Sequence, residues 1–263
     1  MPLDPQLAGK VALVTGGGTG LGKAIALALA RQGANVVIAS RTEHPETIDA
    51  LRACGVRAAF LSADLADERQ ASDLVRRAVD AMGSLEMLVS NAAVMLHEPI
   101  EASTTRSWDL TLRTNVLSAM WLCRSALGYM CQAGSGSIVI VGSTAQFHRA
   151  AHQAAYHVSK AALAAFATAL AVEAAPYQIR VNLLVPGRFE TPANPSAGDR
   201  DPRDIPLARA GNAEEIGPAA VFLLSDALAS YVTGAELVVS GGLHLRPMST
   251  VEGDPAKQAQ AEP

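Results

Sequence analysis

The sequence predicts an α/β protein built on a doubly wound, seven-stranded, mainly parallel sheet with helices on both faces. Three observations predict it. Seven short, largely β-branched runs alternate with longer stretches of helical pattern, as expected of strands joined by helical crossovers. The runs are apolar almost throughout rather than at every second residue, which suits strands covered on both faces. A glycine-rich turn directly follows the first run and opens the first helical stretch.

In chain order the strands are VALVT (11–15), NVVIA (35–39), RAAFL (57–61), EMLVS (86–90), SIVIVG (137–142), IRVNLLV (179–185) and ELVVS (236–240). Helical stretches lie between them at 20–32, 67–82, 105–132, 153–175 and 213–225. Two segments break the alternation. Residues 186–206 carry five prolines between a strand and the next helix, and a loop this long in a compact domain is usually functional. The tail 246–263 has too little apolar content to pack alone and is expected to be mobile. With no linker, repeat or composition shift before residue 246, one domain over 1–245 is expected, with a substrate loop near 188–206.

Composition narrows the function. Of 263 residues 49% are hydrophobic, enough for a substantial core, and the formal charge is −4. No block of like charges points to nucleic acid or an anionic membrane surface. No basic region followed by an apolar stretch opens the chain, and no run of about 18 uninterrupted apolar residues occurs, so neither a signal peptide nor a membrane span is expected. Cys54, Cys123 and Cys131 are odd in number and lack CxxC spacing, which suits free thiols in a reducing cytoplasm.

Two motifs carry chemistry. TGGGTGLG (15–22) sits in the strand–turn–helix setting where glycines admit a pyrophosphate and the helix start offers unbonded N–H groups. YHVSK (156–160) places a tyrosine and a lysine one helical turn apart. An ammonium about 6 Å away, at an effective dielectric of about 20, favours the phenolate by roughly 2.8 kcal/mol, or about two pKa units. The plainer reading is a half-buried tyrosine beside a solvated lysine, and the pair alone does not decide between them.

The spacing of Thr15, Gly16, Gly20 and Gly22, the SNAA run (90–93), Ser143, YHVSK, PGRFET (186–191) and Gly241-Gly242 together resemble the short-chain dehydrogenase/reductase family over residues 8–244. Within it the sequence is similar to the branch of 3-oxoacyl reductases and gluconate 5-dehydrogenases. The resemblance implies a Rossmann-type sheet, a bound NAD(H) or NADP(H), interconversion of alcohols and carbonyls, and assembly as a homotetramer or homodimer. It also implies four catalytic roles. Tyr156 exchanges a proton with the substrate oxygen, and Lys160 lowers the tyrosine pKa and holds the nicotinamide ribose. Ser143 hydrogen-bonds the substrate oxygen, and Asn115 anchors a water leading from Lys160 to solvent. An amide on the otherwise apolar helix around residue 115 needs such a reason. With 17 Arg but only 4 Lys in the chain, a generic cation at 160 would more often be Arg.

By the same resemblance the cofactor lies against Gly16, Thr19, Gly20, Leu21 and Gly22, and against Ser40 and Arg41. Asp64 and Leu65 would meet its adenine, and Asn91 and Ala92 its nicotinamide side. Pro186, Gly187, Phe189 and Thr191 would lie at the carboxamide, with Tyr156 and Lys160 completing the set. Two departures stand out. The family's NAG is Asn91-Ala92-Ala93 here, and its aspartate before the final glycine pair is Ser240. An NAD-binding chain usually carries an acid at the end of the second strand, whereas this one has Ser40-Arg41, and Glu43 is expected to open the next helix. A guanidinium pairs with a 2′-phosphate that a carboxylate would repel, so NADP(H) is favoured over NAD(H).

His148, His152 and His157 crowd the same neighbourhood, but a metal site lacks further ligands there, and none is expected. His148, Arg149 and His152 are expected to line the substrate mouth or face solvent. Cys123 and Cys131 are read as core thiols. Substrate specificity is expected in 94–99, 144–153 and 188–206, for a small-molecule or carrier-linked carbonyl. Three functions remain open at this point: an NADPH-dependent carbonyl reductase, an NAD(P)-dependent dehydrogenase of a secondary alcohol such as a sugar acid or polyol, and a nucleotide sensor or scaffold on the same fold.

Overall fold

In the computed structural model, which describes residues 4–147, 150–192 and 204–245, every apolar run of the sequence becomes a strand of one sheet. The strands are β1 (Val11–Thr15), β2 (Asn35–Ser40), β3 (Ala58–Ser62), β4 (Met87–Ser90), β5 (Gly136–Val141), β6 (Ile179–Pro186) and, at the far edge, β9 (Glu236–Val239). Their order is β3-β2-β1-β4-β5-β6-β9, and each neighbouring pair is parallel. Parallel pairing requires a crossover between consecutive strands, and helices supply it. These are α1 (Gly20–Arg31), α2 (Pro45–Arg52), α3 (Glu68–Met82), α4 (Thr105–Leu112), α5 (Ser118–Ala133), α6 (Ala154–Ala174) and α7 (Gly217–Leu224), with a short α8 (Asp226–Ala229) before β9.

Both faces of the sheet are dry, which explains the unbroken apolar runs. Along β1, Val11 and Leu13 enter a core shared with α3, α5 and α6, while Ala12 and Val14 enter the core under α1 and α7. The strand order reverses between β1 and β4. At such a switch point the loops beyond the strand ends diverge and leave a crevice. The C-terminal ends of β1, β4, β5 and β6 therefore converge on one edge, and the residues expected in the site lie on or just past them.

Four expectations need correction. The helix expected over 105–132 is interrupted by a π turn, Arg113–Leu117, where the Ser118 N–H donates to the Arg113 carbonyl. The stretch at 213–225 opens as a 3₁₀ turn before α7. Glu43 precedes the second helix instead of opening it, because Pro45, with its φ already helical, takes the first turn. Inside the expected loop, β7 (Phe189–Glu190) pairs with β8 (Gly211–Asn212) in a two-stranded parallel sheet of its own. Residues 193–203 of that loop, His148, Arg149 and the 246–263 tail lie outside the described residues.

One helical segment, Ala154–Tyr177, is long and apolar enough by length and composition to cross a membrane, with mean hydropathy 1.5. Unbroken apolar runs miss it because His157, Ser159, Lys160, Thr168 and Glu173 interrupt it. In this fold it lies on the sheet, with Leu163, Ala167, Leu170 and Ala174 in the core, yet its most apolar window is only 39% buried.

Candidate active site

The glycine-rich turn leaves β1 at Thr15 and enters α1 at Gly20. The chain must reverse sharply there, and Gly16 does so at φ +63°. A side chain at Gly22 would run into the Gly16 carbonyl and lie 2.5 Å from Asn91 Nδ2, so only glycine fits. Thr15 and Asn91 lock this turn across the switch point. Thr15 Oγ1 accepts the N–H groups of Asn91 (3.0 Å) and Ala92 (3.2 Å), and Asn91 Nδ2 donates to the Thr15 carbonyl at 2.8 Å. Thr19, the residue before α1, makes no side-chain cap, which leaves the helix start to an outside acceptor. A glycine cradle facing an uncapped helix N-terminus fits a dinucleotide pyrophosphate.

The remaining expected cofactor positions divide into surface and support. At the end of β2, Ser40 Oγ donates to the Thr42 carbonyl (2.6 Å) and Arg41 is exposed, with no carboxylate on the strand's last residue. An exposed guanidinium at that edge could pair with a cofactor phosphate. Asp64 is exposed just past β3, while Leu65 is buried in the core. Thr191 Cβ lies 3.5 Å from where a side chain at Gly20 would begin, which brings the chain after β6 over the glycine turn. Pro186 ends β6, and Gly187 sits against Ser240, whose Cβ a methyl group would meet at 2.6 Å. Phe189 turns its ring into the core against Gly211, so its side chain supports the site from behind. Asn91 likewise has its amide engaged by the turn it staples.

The four expected catalytic residues come together from three segments. Ser143 follows β5, Tyr156 and Lys160 lie on the first turns of α6, and Asn115 lies in the π turn. Asn115 is 2% exposed. Its Oδ1 accepts the Val94 N–H at 2.8 Å, and its Nδ2 donates to the Val94 carbonyl at 2.9 Å and to Ser159 Oγ at 3.0 Å. Ser159 Oγ in turn donates to the Tyr156 carbonyl at 2.7 Å. The Asn115 side chain is thus a clamp joining the chain after β4 to the Tyr–Lys turn of α6, with its polar atoms already engaged by protein. A water held at this residue would have to bind its backbone rather than its side chain.

Lys160 is 3% exposed, with Nζ donating to the Val141 carbonyl at 2.9 Å and lying 5.7 Å from the Tyr156 ring centre. Burial lowers its pKa to about 8. Burial also raises the Tyr156 pKa above its ordinary value, although a side-chain hydrogen bond from Ser143 opposes the shift. This reverses the expectation that Lys160 brings the phenol down. Both groups are removed from water, which disfavours the charged form of each. Tyr156 accordingly stays protonated at neutral pH, in the form that can donate. Ser143 Oγ also accepts the Ala145 N–H at 3.1 Å, which turns its own proton towards the tyrosine.

His157, to which the sequence assigns no role beyond the rejected metal reading, lies inside the protein. It is 7% exposed, and both ring nitrogens meet backbone groups of the segment after Ser143. His152 is exposed, and its carbonyl accepts the Glu98 N–H at 2.7 Å, tying the loop after β4 to the entrance of α6. Beside it a narrow cleft with both polar and apolar walls is lined by Leu96, Glu98, Ile100, Ser107, Trp108 and His152. Among the described residues no group of three or more His, Cys, Asp or Glu side chains could hold a metal ion. Cys123 is buried in the α5 core, which pushes its thiol up to about 12, and Cys131 packs at the edge of the same core. Sequence reasoning missed Ser159, which lay inside the quoted YHVSK motif, and the stapling role of Thr15. Neither has a residue type that signals more than an ordinary hydroxyl.

Comparison with known proteins gives the same picture. Residues 16–244 match a family model described as enoyl-(acyl carrier protein) reductase. The chain is 34% identical over 247 residues to the 3-oxoacyl-[acyl-carrier-protein] reductase of Chlamydia pneumoniae, covering 92% of this chain and 99% of that one. It is also 34% identical over 257 residues to the glucose 1-dehydrogenase of Gluconobacter oxydans, covering 93% and 95%. Among solved structures, one from Agrobacterium tumefaciens, assigned as a 2-deoxy-D-gluconate 3-dehydrogenase and holding NADP, superposes with a TM-score of 0.85 at 34% identity. That match covers 92% of this chain and 99% of the other.

Proposed function

Because the chain belongs to the short-chain dehydrogenase/reductase family and is an oxidoreductase of that family, we propose that it reduces a ketone or 3-oxoacyl carbonyl to a secondary alcohol with NADPH. The observation that carries this reading is a Tyr156 bonded to Ser143 and one helical turn from Lys160, whose Nζ lies 5.7 Å from its ring centre. When bound, the nicotinamide supplies the hydride. Ser143 holds the carbonyl oxygen as negative charge develops there. Tyr156 delivers its proton to that oxygen, and Lys160 stabilises the phenolate left behind. The 96–100 segment and the entrance of α6, joined by the Glu98–His152 backbone bond, would border the substrate's remaining atoms.

Ser40 and Arg41 support NADPH, and a bound NADP in the Agrobacterium tumefaciens structure accords with it. A panel of carbonyl substrates offered with NADPH and NADH, followed by nicotinamide absorbance, tests substrate class and cofactor together. Replacing Ser40 by Asp and Arg41 by Ile should move binding from NADPH towards NADH. Tighter NADH than NADPH binding by the parent protein would refute the cofactor assignment. The names of the Gluconobacter oxydans and Agrobacterium tumefaciens relatives favour a second reading, oxidation of a sugar-type secondary alcohol. It predicts turnover with oxidised cofactor and polyols but none with 3-oxoacyl compounds.

We also infer a homotetramer or homodimer. Val158, Ala161, Ala165, Ala169 and Val172 recur at helical spacing along the exposed face of α6, and Val172 is 76% exposed. A second copy of α6, flanked by α4 and α5, would cover them in a two-fold contact. Nothing in the site reading calls for a nucleic-acid or membrane partner, and a cytoplasmic enzyme with free thiols fits the three unpaired cysteines.

A further inference from the structure

His157 stands directly after the tyrosine of YHVSK, on the buried side of α6, where an imidazole must satisfy two nitrogens away from water. Its Nδ1 lies 2.9 Å from the Ala145 carbonyl, and its Nε2 lies 2.8 Å from the Ala150 backbone N. A carbonyl only accepts, so Nδ1 carries the proton. A backbone N–H only donates, so Nε2 presents its lone pair, and the longer 3.3 Å approach of Nε2 to the Ala150 carbonyl is secondary. The ring is thus neutral and in one tautomer, bonded at both ends to the segment that carries Ser143. Its edge meets the Tyr156 ring with centres 6.4 Å apart.

The two peptide groups that flank the Ala145 Cα link this ring to the site. The Ala145 N–H donates to Ser143 Oγ at 3.1 Å while the Ala145 carbonyl accepts from His157 Nδ1. Through one residue, the histidine fixes where the serine hydroxyl sits and which way its proton points. The same helix turn holds Tyr156, so the ring sets the Ser143 segment and the tyrosine in register. We propose that His157 is a positioning residue for Ser143, working as the neutral Nδ1–H tautomer through Ala145. This rests on the assignment of Ser143 and Tyr156 to the reaction proposed above.

The amides of Asn and Gln separate the ring's two bonds. An Asn amide reproduces the Nδ1 donor towards Ala145, a Gln amide reaches the Nε2 position at Ala150, and Phe keeps only the shape. Turnover, KM and NADPH affinity by nicotinamide fluorescence should be measured for the parent, His157→Asn, His157→Gln, His157→Phe and Tyr156→Phe. Misplacement of a catalytic group by a fraction of an ångström to 1 Å should lower kcat at least about tenfold in the Phe and Gln variants. The Asn variant should stay within about threefold of the parent, because the bond through Ala145 survives. NADPH affinity should be unchanged throughout, which a general loss of structure would not allow. An unaltered kcat in His157→Phe, or an Asn variant no better than Gln, overturns the proposal. A fully active Tyr156→Phe would instead defeat the catalytic reading itself. Should the variants fail to fold, histidine ¹⁵N spectra of the parent decide: a neutral His157 ring protonated at Nδ1 is expected, and one protonated at Nε2 overturns it.

Discussion

Lys160 keeps an amine inside the protein, and the cost of doing so has a definite sign. Its pKa falls from an ordinary value of 10.5 to about 8 because burial disfavours the ammonium. Between those two values the unfolded chain holds a proton that the folded chain has released, so folding stability rises with pH across that window. Below about pH 8 both forms are charged and the full penalty applies, at most roughly 3 kcal/mol. Lys160→Met removes the titrating group while filling similar space. The melting temperature of the parent should therefore gain on that of the Met variant as pH rises from 8 towards 10, in thermal scans without cofactor. A difference between the two that does not change with pH would show the amine unperturbed. In the proposed reaction a cation beside Tyr156 would offset that cost, and burial in the same place raises the tyrosine pKa.

Among the elements, the glycine turn makes the sharpest prediction. Gly22 lies inside α1, where Ala is the better helix former by about 1 kcal/mol. If the position were an ordinary helical site, Gly22→Ala would stabilise the protein. Here the methyl group would meet the Gly16 carbonyl and Asn91 Nδ2, so the turn must open. The expected outcome is a lower melting temperature together with at least about tenfold weaker NADPH binding, since the backbone that approaches the pyrophosphate has moved. Titration of nicotinamide fluorescence and a thermal scan check both. The seven strands and this turn were legible in the sequence because burial on both faces leaves apolar runs that nothing else mimics. The π turn was not. Periodicity continues through 105–132, and one extra residue in a turn leaves no trace in composition, although Asn115 on an apolar helix was the right place to look. The β7–β8 pair, two residues a side, is too short to show a pattern, and α2, expected to open at Glu43, starts two residues later at Pro45. Tyr156, Lys160, Ser143 and Asn115 were singled out through the family resemblance, and the fold brings them together. His157 was not, because its partners are backbone atoms of a loop that a residue pattern does not describe.

On the scale of the whole molecule, α6 joins chemistry to assembly. One face carries Lys160 and Leu163 into the protein, while Ala165 and Ala169 on the opposite face are exposed. Small side chains there let a second backbone approach closely, and a specific contact should bury well over about 1,000 Å². Ala165→Arg or Ala169→Arg should split the assembly and lower its melting temperature. Sedimentation of the parent as a monomer at micromolar concentration would refute the arrangement. The Arg209–Glu215 pair at the start of the last crossover, with Glu215 held at a pKa of about 2 by the Arg209 hydrogen bond, lies at the surface and should matter little to either property.

The central claim is that Tyr156 transfers the proton in an enclosed site assembled from Ser143, Asn115 and Lys160. The most direct measurement compares Tyr156→Phe with the parent on the best carbonyl substrate, with NADPH affinity determined independently. Loss of the phenol should leave folding and cofactor affinity nearly intact and reduce kcat by at least about 10²-fold, the scale of general acid catalysis. Turnover equal to the parent, with cofactor bound equally well, would contradict the account.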